Sequence, residues 1–199
     1  MAVLSKRKGE TQEQRRAAEL VFVEATLALL AEGSSYADLG VEKISSRAGR
    51  TRTAFYFYFR DKRDLLMRAT EEVGVQLFAE ADRWWSGDAG REGLRTALSS
   101  ILATYHANGP LLRAIVEAST YDDQVGEFWR GLLGRFIDST EDHLLGLGAD
   151  DPEAAHAKAF ALVWMTERAA YQHVVRGGRL DDRALVEALV EIWDRAVYG

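Results

Sequence analysis

Residues 51–59 constrain the fold of this chain more than any other stretch of its sequence. They read TRTAFYFYF, so a cation and two hydroxyls stand just before five consecutive aromatic side chains. Alternating Phe and Tyr fits a half-buried β-strand, because aromatic residues favour strands and point to alternate faces there. Taken alone, the run leaves both a strand and a helix open.

The residues before the run favour a helix. Val41, Ile44 and Ala48 recur at helical spacing, and Gly49 can adopt the positive φ of a tight turn. Thr51 then stands at the N-cap of a new helix, where its side-chain oxygen can accept a backbone N–H. The sequence therefore predicts a helix, a tight turn and a second helix.

The second of these helices has two different faces. Phe55 and Phe59 are four residues apart and share the face that can pack on Val41 and Ile44. The opposite face carries Arg52, Thr53, Tyr56 and Phe57. Such side chains on an exposed helix suit a DNA groove.

Charge is distributed unevenly along the chain. The net charge of the 199 residues is −6, which by itself argues against nucleic acid as a partner. Residues 1–68, however, carry 13 Lys and Arg against 9 Asp and Glu, a net charge of +4, and the remaining 12 bases and 22 acids give −10. The basic part, which phosphate contacts require, is the part with the predicted helix-turn-helix.

The composition excludes several other classes of protein. Cysteine is absent, so there is no disulfide framework and no thiolate metal site. No apolar run approaches the roughly 20 residues that span a bilayer, and the N-terminus lacks the apolar core of a signal peptide. We therefore expect a cytoplasmic protein with no membrane partner.

Residues 11–68 resemble the DNA-binding domain of the TetR family of bacterial repressors. The similarity is carried by Ala31-Glu32-Gly33, Val41-Glu42-Lys43-Ile44, Ala48-Gly49, Phe55-Tyr56-Phe57-Tyr58-Phe59 and Lys62. The resemblance implies an all-α fold of about nine helices: a three-helix helix-turn-helix domain, a long fourth helix and a C-terminal helical bundle for ligand binding and dimerisation. The implied division is a flexible basic tail (1–10), a DNA-binding domain (11–60, with the first turn of the fourth helix at 61–68) and a ligand-binding and dimerisation domain (69–199).

The predicted DNA-binding residues are Arg50, Thr51, Arg52, Thr53, Tyr56, Phe57, Tyr58 and Lys62. Arg52 and Thr53 are candidates for base contacts, with Arg52 on guanine, and Phe57 is placed to press on a thymine methyl. Tyr56, Tyr58 and Lys62 are expected at phosphates, since Lys62 matches the family's phosphate-anchoring lysine. Arg50 replaces a usual apolar turn residue, and it either adds a contact or is an exposed arginine that touches nothing.

Helix boundaries follow from capping residues. Residues 11–14 have the spacing of a capping box, and Asp61 can cap the long fourth helix. Gly40 replaces the Ser or Thr that usually caps the second helix. The last two helices are expected to open at Asp151, which precedes Pro152, and at Asp181. Further breaks are expected at Gly109-Pro110, Asp122-Asp123, Gly146-Leu147-Gly148 and Gly177-Gly178.

The C-terminal half is similar to the branch of the family that contains the ethionamide-resistance repressor. The shared residues are Phe128-Trp129, Ala161-Leu162, Met165, Glu167-Arg168, Ile192-Trp193 and Tyr198-Gly199. In that branch an apolar channel holds an elongated ligand, and the last two helices form a dimer interface. The channel-lining positions implied here are Ile101, Leu102, Tyr105, Trp129, Leu133, Phe136, Val163, Thr166, Tyr171 and Trp193.

The same apolar stripes also fit a solid core, so the residues alone leave the channel open as an alternative. Val163 and Thr166 stand where the repressor has amides. A pocket would then keep one hydroxyl donor, from Thr166, and lose carboxamide recognition.

Catalysis is not indicated. Only Glu153 and His156 have a metal-ligand spacing, and a di-iron bundle would need that motif twice. No phosphate-cradling glycine loop and no nucleophile elbow is present in the sequence. We therefore predict no catalytic residue, no metal and no cofactor.

The function implied is that of a homodimeric regulator. Two reading helices would enter successive major grooves of a palindromic DNA operator, about 34 to 36 Å apart. A small apolar effector in the C-terminal domain would release the repressor. The alternative is an architectural DNA-binding protein with a solid helical core.

Overall fold

The computed structural model describes residues 11–87 and 90–199, which form α-helices and no strand. The helices are α1 (Gln12–Ala31), α2 (Val41–Arg47), α3 (Arg52–Tyr58), α4 (Lys62–Trp85), α5 (Gly90–Ala118), α6 (Asp123–Gly146), α7 (Pro152–Ala170) and α8 (Asp182–Tyr198), with a π-helical turn (Tyr171–Val175) after α7. The predicted all-α fold is confirmed. The predicted basic tail, residues 1–10, lies outside the described residues.

The predicted break at Gly109-Pro110 is a kink within α5. Asn108 has non-helical backbone angles, φ −120° and ψ 17°, two residues before Pro110. Proline lacks the N–H that would continue the helix, and its ring clashes with the carbonyl four residues earlier. Within the described residues, counting the two segments of α5 separately gives nine α-helices, in line with the approximate number expected.

Most helix starts follow the predicted caps. Thr11 and Gln14 form the reciprocal capping box, and Asp151 and Asp181 accept hydrogen bonds from the first turns of α7 and α8. Gly40 precedes α2 without any side-chain cap. The sequence therefore located these helix ends correctly.

The chain forms two compact units, one ending at Leu66 and the other comprising Met67–Gly199. α4 begins in the first unit and continues into the second. Over the described residues, no helix is both long and apolar enough to cross a membrane.

The core of the first unit is built on three phenylalanines. Phe22 of α1 contacts Phe55 and Phe59 edge to face, with ring centroids 5.4 and 6.1 Å apart. All three side chains are buried, which confirms the predicted inner face of α3. The helix itself ends at Tyr58, and Phe59 continues inward on extended backbone.

The second unit is a bundle in which α6 packs on α7, and α5 packs on α8 and on the π-helical turn. Ion pairs on its surface tie neighbouring helices together. Arg135 of α6 makes two hydrogen bonds to the carboxylate of Glu71 on α4, and Arg95 of α5 does the same to Glu187 on α8. Gly74 of α4 lies so close to α6 that a Cβ there would stand 2.5 Å from a methyl of Leu132.

Candidate nucleic-acid interface and internal cavity

The turn between α2 and α3 sets the direction of α3. Gly49 has a positive φ of 62°, and the N–H of Arg50 donates to the carbonyl of Ser45 at 2.9 Å. A side chain at Gly49 would be strained at this φ. Thr51 caps α3 as predicted, since the Ala54 N–H donates to its Oγ1 at 3.1 Å. The oxygen of Thr51 is thus an acceptor within the fold, and the hydroxyl of this exposed residue remains able to donate.

The outer face of α3 is exposed, with four predicted contact residues side by side. Arg52, Thr53, Tyr56 and Phe57 are all exposed, and Phe57 is 63% exposed. Arg52 donates from Nη2 to the Tyr56 hydroxyl at 3.3 Å, with its guanidinium 5.6 Å from the centre of that ring. This contact one helical turn away orients the guanidinium before any partner arrives.

Tyr58 differs from its neighbours because it is half-buried. Its ring lies 6.1 Å from that of Phe22 and 5.0 Å from that of Phe57. It therefore supports the exposed Phe57 as well as bordering the outer face. Arg50 in the turn is exposed.

Lys62 is held within the fold to a degree that the sequence did not indicate. Its Nζ donates to the carbonyls of Tyr36 and Ala37 at 3.0 and 2.9 Å and stands 4.8 Å above the Tyr36 ring. Burial lowers the pKa of the Lys62 ammonium, and the nearby Asp38 carboxylate partly offsets this effect. Lys62 thus fastens the loop between α1 and α2, with at most one N–H left for a phosphate.

Arg15 is a candidate contact that the sequence analysis missed. Its side chain extends from α1 to α3, where its guanidinium lies 6.0 Å from the centre of the Phe57 ring and 5.8 Å from the centre of the Tyr58 ring. Its Nε also donates to Glu19 at 3.0 Å. Arg15 is remote from α3 in the chain, so no local motif reveals this proximity.

The second unit contains a narrow cavity of about 70 Å³ with an almost wholly apolar wall. Five helices contribute to that wall, α4 to α8. Ligand sites in proteins commonly measure about 300 to 1,000 Å³, so a ligand of ordinary size must widen this one. Eight of the ten predicted positions line it: Ile101, Tyr105, Trp129, Leu133, Phe136, Val163, Thr166 and Trp193.

Leu102 and Tyr171 do not line the cavity, contrary to the prediction. Leu102 follows Ile101 by one residue, about 100° around the helix, and borders a surface groove with Val186 of α8 instead. Tyr171 begins the π-helical turn, which changes the phase of the helix, and its ring lies 5.2 Å from the Arg168 guanidinium. Both side chains are buried, but away from the cavity.

The hydroxyl of Thr166 is already used within the wall. It donates to the Leu162 carbonyl at 2.9 Å and accepts from Trp193 Nε1 at 2.9 Å. The hydroxyl donor expected at this position is therefore not available to a ligand, and this prediction is wrong. The contact instead fixes the Trp193 indole, which meets Trp84 edge to face at 5.5 Å.

Several polar groups of the residues that line the cavity make no hydrogen bond within the described residues. In the described part of the chain, both carboxylate oxygens of Glu167, the indole nitrogens of Trp84 and Trp85, and Thr140 Oγ1 are buried without a hydrogen bond. Burial raises the pKa of the Glu167 carboxyl, and the Arg168 guanidinium opposes that rise. Burial raises the pKa of Tyr105 as well, and the charge of Glu167 adds to this. Glu167 is one of the residues shared with the related branch of the family, but the sequence did not predict that it lines the cavity.

A cluster of metal-ligand type also escaped the sequence analysis. His106 of α5 and His173 of the π-helical turn meet Asp182 of α8, each through Nε2, at 3.0 and 2.7 Å. Their separations of 76 and 9 residues from Asp182 form no motif. His156 pairs with Glu141 at 2.7 Å rather than with Glu153, the partner suggested by spacing. Within the described residues, the buried Nδ1 of His173 makes no hydrogen bond.

Two family models match the chain. Residues 22–69 match "Bacterial regulatory proteins, tetR family", and residues 94–199 match "Transcriptional regulator EthR, C-terminal domain".

Relatives and solved structures agree with these matches. The HTH-type transcriptional regulator EthR of Mycobacterium tuberculosis (strain ATCC 25618 / H37Rv) is 28% identical over 187 residues, which cover 88% of this chain and 85% of that protein. A TetR-family transcriptional regulator from Syntrophomonas wolfei shares the fold with a TM-score of 0.77 at 14% identity, covering 94% and 97% of the two chains. The fatty acid degradation regulator FadR from Bacillus halodurans gives a TM-score of 0.73 at 18% identity and 98% of each chain.

Proposed function

This chain belongs to the TetR family of transcriptional regulators, with an EthR-type C-terminal domain, and from that membership we propose a dimeric repressor that an effector in the internal cavity releases from its operator. The observation that carries this proposal is the exposed outer face of α3. An arginine, a threonine, a tyrosine and a phenylalanine stand in the open there, on a helix fixed by its turn and cap. Exposed aromatic surface of this kind marks a contact site.

Roles follow from how each side chain is held. Arg52, already directed by Tyr56, is the candidate for a bidentate contact to guanine, with Thr53 beside it. Phe57 suits a thymine methyl. Thr51, Tyr56, Tyr58, Lys62 and Arg15 would contact phosphates, and Arg50 extends this basic surface along the turn.

Dimerisation through the last two helices is supported by the apolar residues that they expose. Phe160 of α7 is 51% exposed and lies 6.2 Å from the Trp164 ring, and Ile192 of α8 is 45% exposed. Exposed large apolar side chains are expected where a second copy covers them. Replacing Phe160 and Ile192 together by Asp should yield a monomer in sedimentation equilibrium, whereas a persistent dimer would place the interface elsewhere.

The cavity connects to the DNA-binding unit through α4. This helix supplies Leu77, Ala81, Trp84 and Trp85 to the cavity wall, and its first turn belongs to the first unit. An effector that widens the cavity would displace α4. It would favour a state in which the spacing of the two DNA-binding units of the dimer does not fit the operator. To change the operator from mostly occupied to mostly free, the effector must prefer that state by about 5 kcal/mol.

DNA binding is tested by gel shift of the purified protein on its own upstream DNA, at low and high salt, against random DNA of equal length. We expect tight, salt-sensitive binding that prefers the upstream fragment. Arg52→Ala should lose about 1 to 3 kcal/mol on the specific fragment and much less on random DNA. Equal loss on both would contradict the base-reading role of Arg52.

The role of the cavity is tested by filling it. Ala97 lines the cavity on α5, whereas Ala103 of the same helix is exposed outside it. Ala97→Leu should keep DNA binding and lose both effector binding and release, because the added side chain occupies the space. Ala103→Leu is the matched control and should respond like the wild type. An Ala97→Leu protein that still releases DNA would exclude the cavity as the effector site.

A further inference from the structure

Glu167 is a carboxylate buried in the wall of an aromatic cavity. It is 4% exposed, and within the described residues neither of its oxygens accepts a hydrogen bond. A buried carboxylate without a hydrogen-bond donor destabilises a fold, and an apolar side chain of similar size would not carry that cost. The Glu167 carboxylate therefore lacks a hydrogen-bond donor among the described residues.

Arg168 compensates Glu167 only in part. Its Nε lies 3.5 Å from one Glu167 oxygen, close enough for an ion pair but without a hydrogen bond. The Arg168 side chain is 49% exposed, and its guanidinium lies over the Tyr171 ring. Arg168 is thus half-exposed while Glu167 is buried, and both Glu167 oxygens keep free capacity to accept a hydrogen bond.

The rest of the wall is suited to a cation with an apolar body. Trp84, Trp85, Trp129, Trp193, Tyr105 and Phe136 line the same cavity as Glu167. The faces of aromatic rings attract cations, and tryptophan does so most strongly. The Thr166 hydroxyl, a suitable group for a neutral ligand, already donates to the Leu162 carbonyl and accepts from Trp193.

We propose that the effector of this protein is an organic cation, in which a protonated amine on an apolar body donates to Glu167. This inference rests on the proposed function, because it takes the cavity to be the effector site. The amine supplies the missing hydrogen-bond donors and a positive charge, and the apolar body displaces the aromatic side chains. The unpartnered indole N–H groups of Trp84 and Trp85 point to the competing possibility, an anionic or acceptor-bearing ligand.

The test uses matched compounds that differ only in the polar end. Three bodies, 4-phenylbutyl, naphthylmethyl and n-decyl, are each taken as the amine, the alcohol and the carboxylic acid. Binding to the full-length protein is measured by calorimetry near neutral pH. We expect the amine to bind at least tenfold more tightly than the alcohol and the acid on at least one body.

Two variants assign this preference to Glu167. Glu167→Gln should abolish the preference for the amine and leave binding of the alcohol within about threefold, a factor that corresponds to roughly 0.6 kcal/mol. Unchanged alcohol binding also shows that the variant is folded. Glu153→Gln, an exposed position on the same helix, is the control and should keep the wild-type order.

The outcomes separate the two proposals. An amine preference that survives Glu167→Gln, an equal or better acid or alcohol, or no binding by any compound overturns the cation inference. Amine binding that depends on Glu167 but releases no DNA keeps the cation site and removes its regulatory role. Release of DNA by the alcohols as well as by the amines keeps the proposed function and overturns the cation inference.

Discussion

The two units of this molecule use aromatic side chains in opposite ways. In the first unit, Phe22, Phe55 and Phe59 pack against one another in the core, at 0 to 1% exposure. In the second unit, six aromatic residues line a cavity together with Glu167, whose carboxylate accepts no hydrogen bond from the described residues. A filled core holds its surface in one geometry, which a base-reading helix needs, whereas a wall with a gap keeps alternative packings within reach.

The largest effect we expect comes from the same truncation made in each unit. Leu39 is buried at 1% exposure in the first unit, and Leu133 lines the cavity in the second. Leu39→Ala should cost about 3 to 5 kcal/mol, because it opens a new void, and Leu133→Ala only about 2 kcal/mol, because one side of Leu133 already faces space. Native-state hydrogen exchange, resolved by unit, measures both. Equal losses of unfolding free energy would mean that the packing around Leu133 is as tight as the packing around Leu39.

The second prediction distinguishes the structural role of Lys62 in the first unit from its role in phosphate contact. Lys62→Met keeps the aliphatic stem but loses both hydrogen bonds to the loop carbonyls. We expect a loss of about 1 to 2 kcal/mol in the unfolding free energy of this unit, together with weaker binding to all DNA sequences. Lys43→Met is the control, since the Lys43 ammonium donates to the Ser34 side chain rather than to a backbone carbonyl. Unchanged stability in Lys62→Met would make Lys62 a simple phosphate contact.

The third effect concerns pH and the second unit. Because burial raises the pKa of Glu167, the folded protein holds this proton after the unfolded chain has released it. The contribution of Glu167 to stability therefore falls as pH rises above the ordinary glutamate range, and it levels off above the folded pKa. Glu167→Gln should raise the midpoint of thermal unfolding at neutral pH, and this gain should shrink towards acidic pH. Glu153→Gln should show no such trend.

The first unit was largely predictable because its signals are local. The turn at Gly49, the cap at Thr51 and the inner pair Phe55 and Phe59 all lie within a few residues of one another. The contacts of Lys62 within the fold were not predicted, because its partners, the carbonyls of Tyr36 and Ala37, are backbone atoms that no residue pattern identifies.

The second unit was predictable only in outline. Which side of α5 or α7 faces the cavity depends on how the helices pack. Tyr171 was misplaced because it begins the π-helical turn, which changes the helical phase, and Leu102 because it lies about 100° around α5 from Ile101. The meeting of His106, His173 and Asp182 depends on how three elements pack, which a single sequence does not show.

The tryptophans lie in only one of the two units, so the two units differ in their intrinsic fluorescence. All five lie beyond residue 66, and Trp84, Trp85, Trp129 and Trp193 stand on the cavity wall, with Trp164 as the exception. Indole emission responds to the polarity and mobility of its surroundings. Intrinsic fluorescence of the unlabelled protein therefore reports on the cavity unit, while the DNA-reading unit contributes only tyrosine signal.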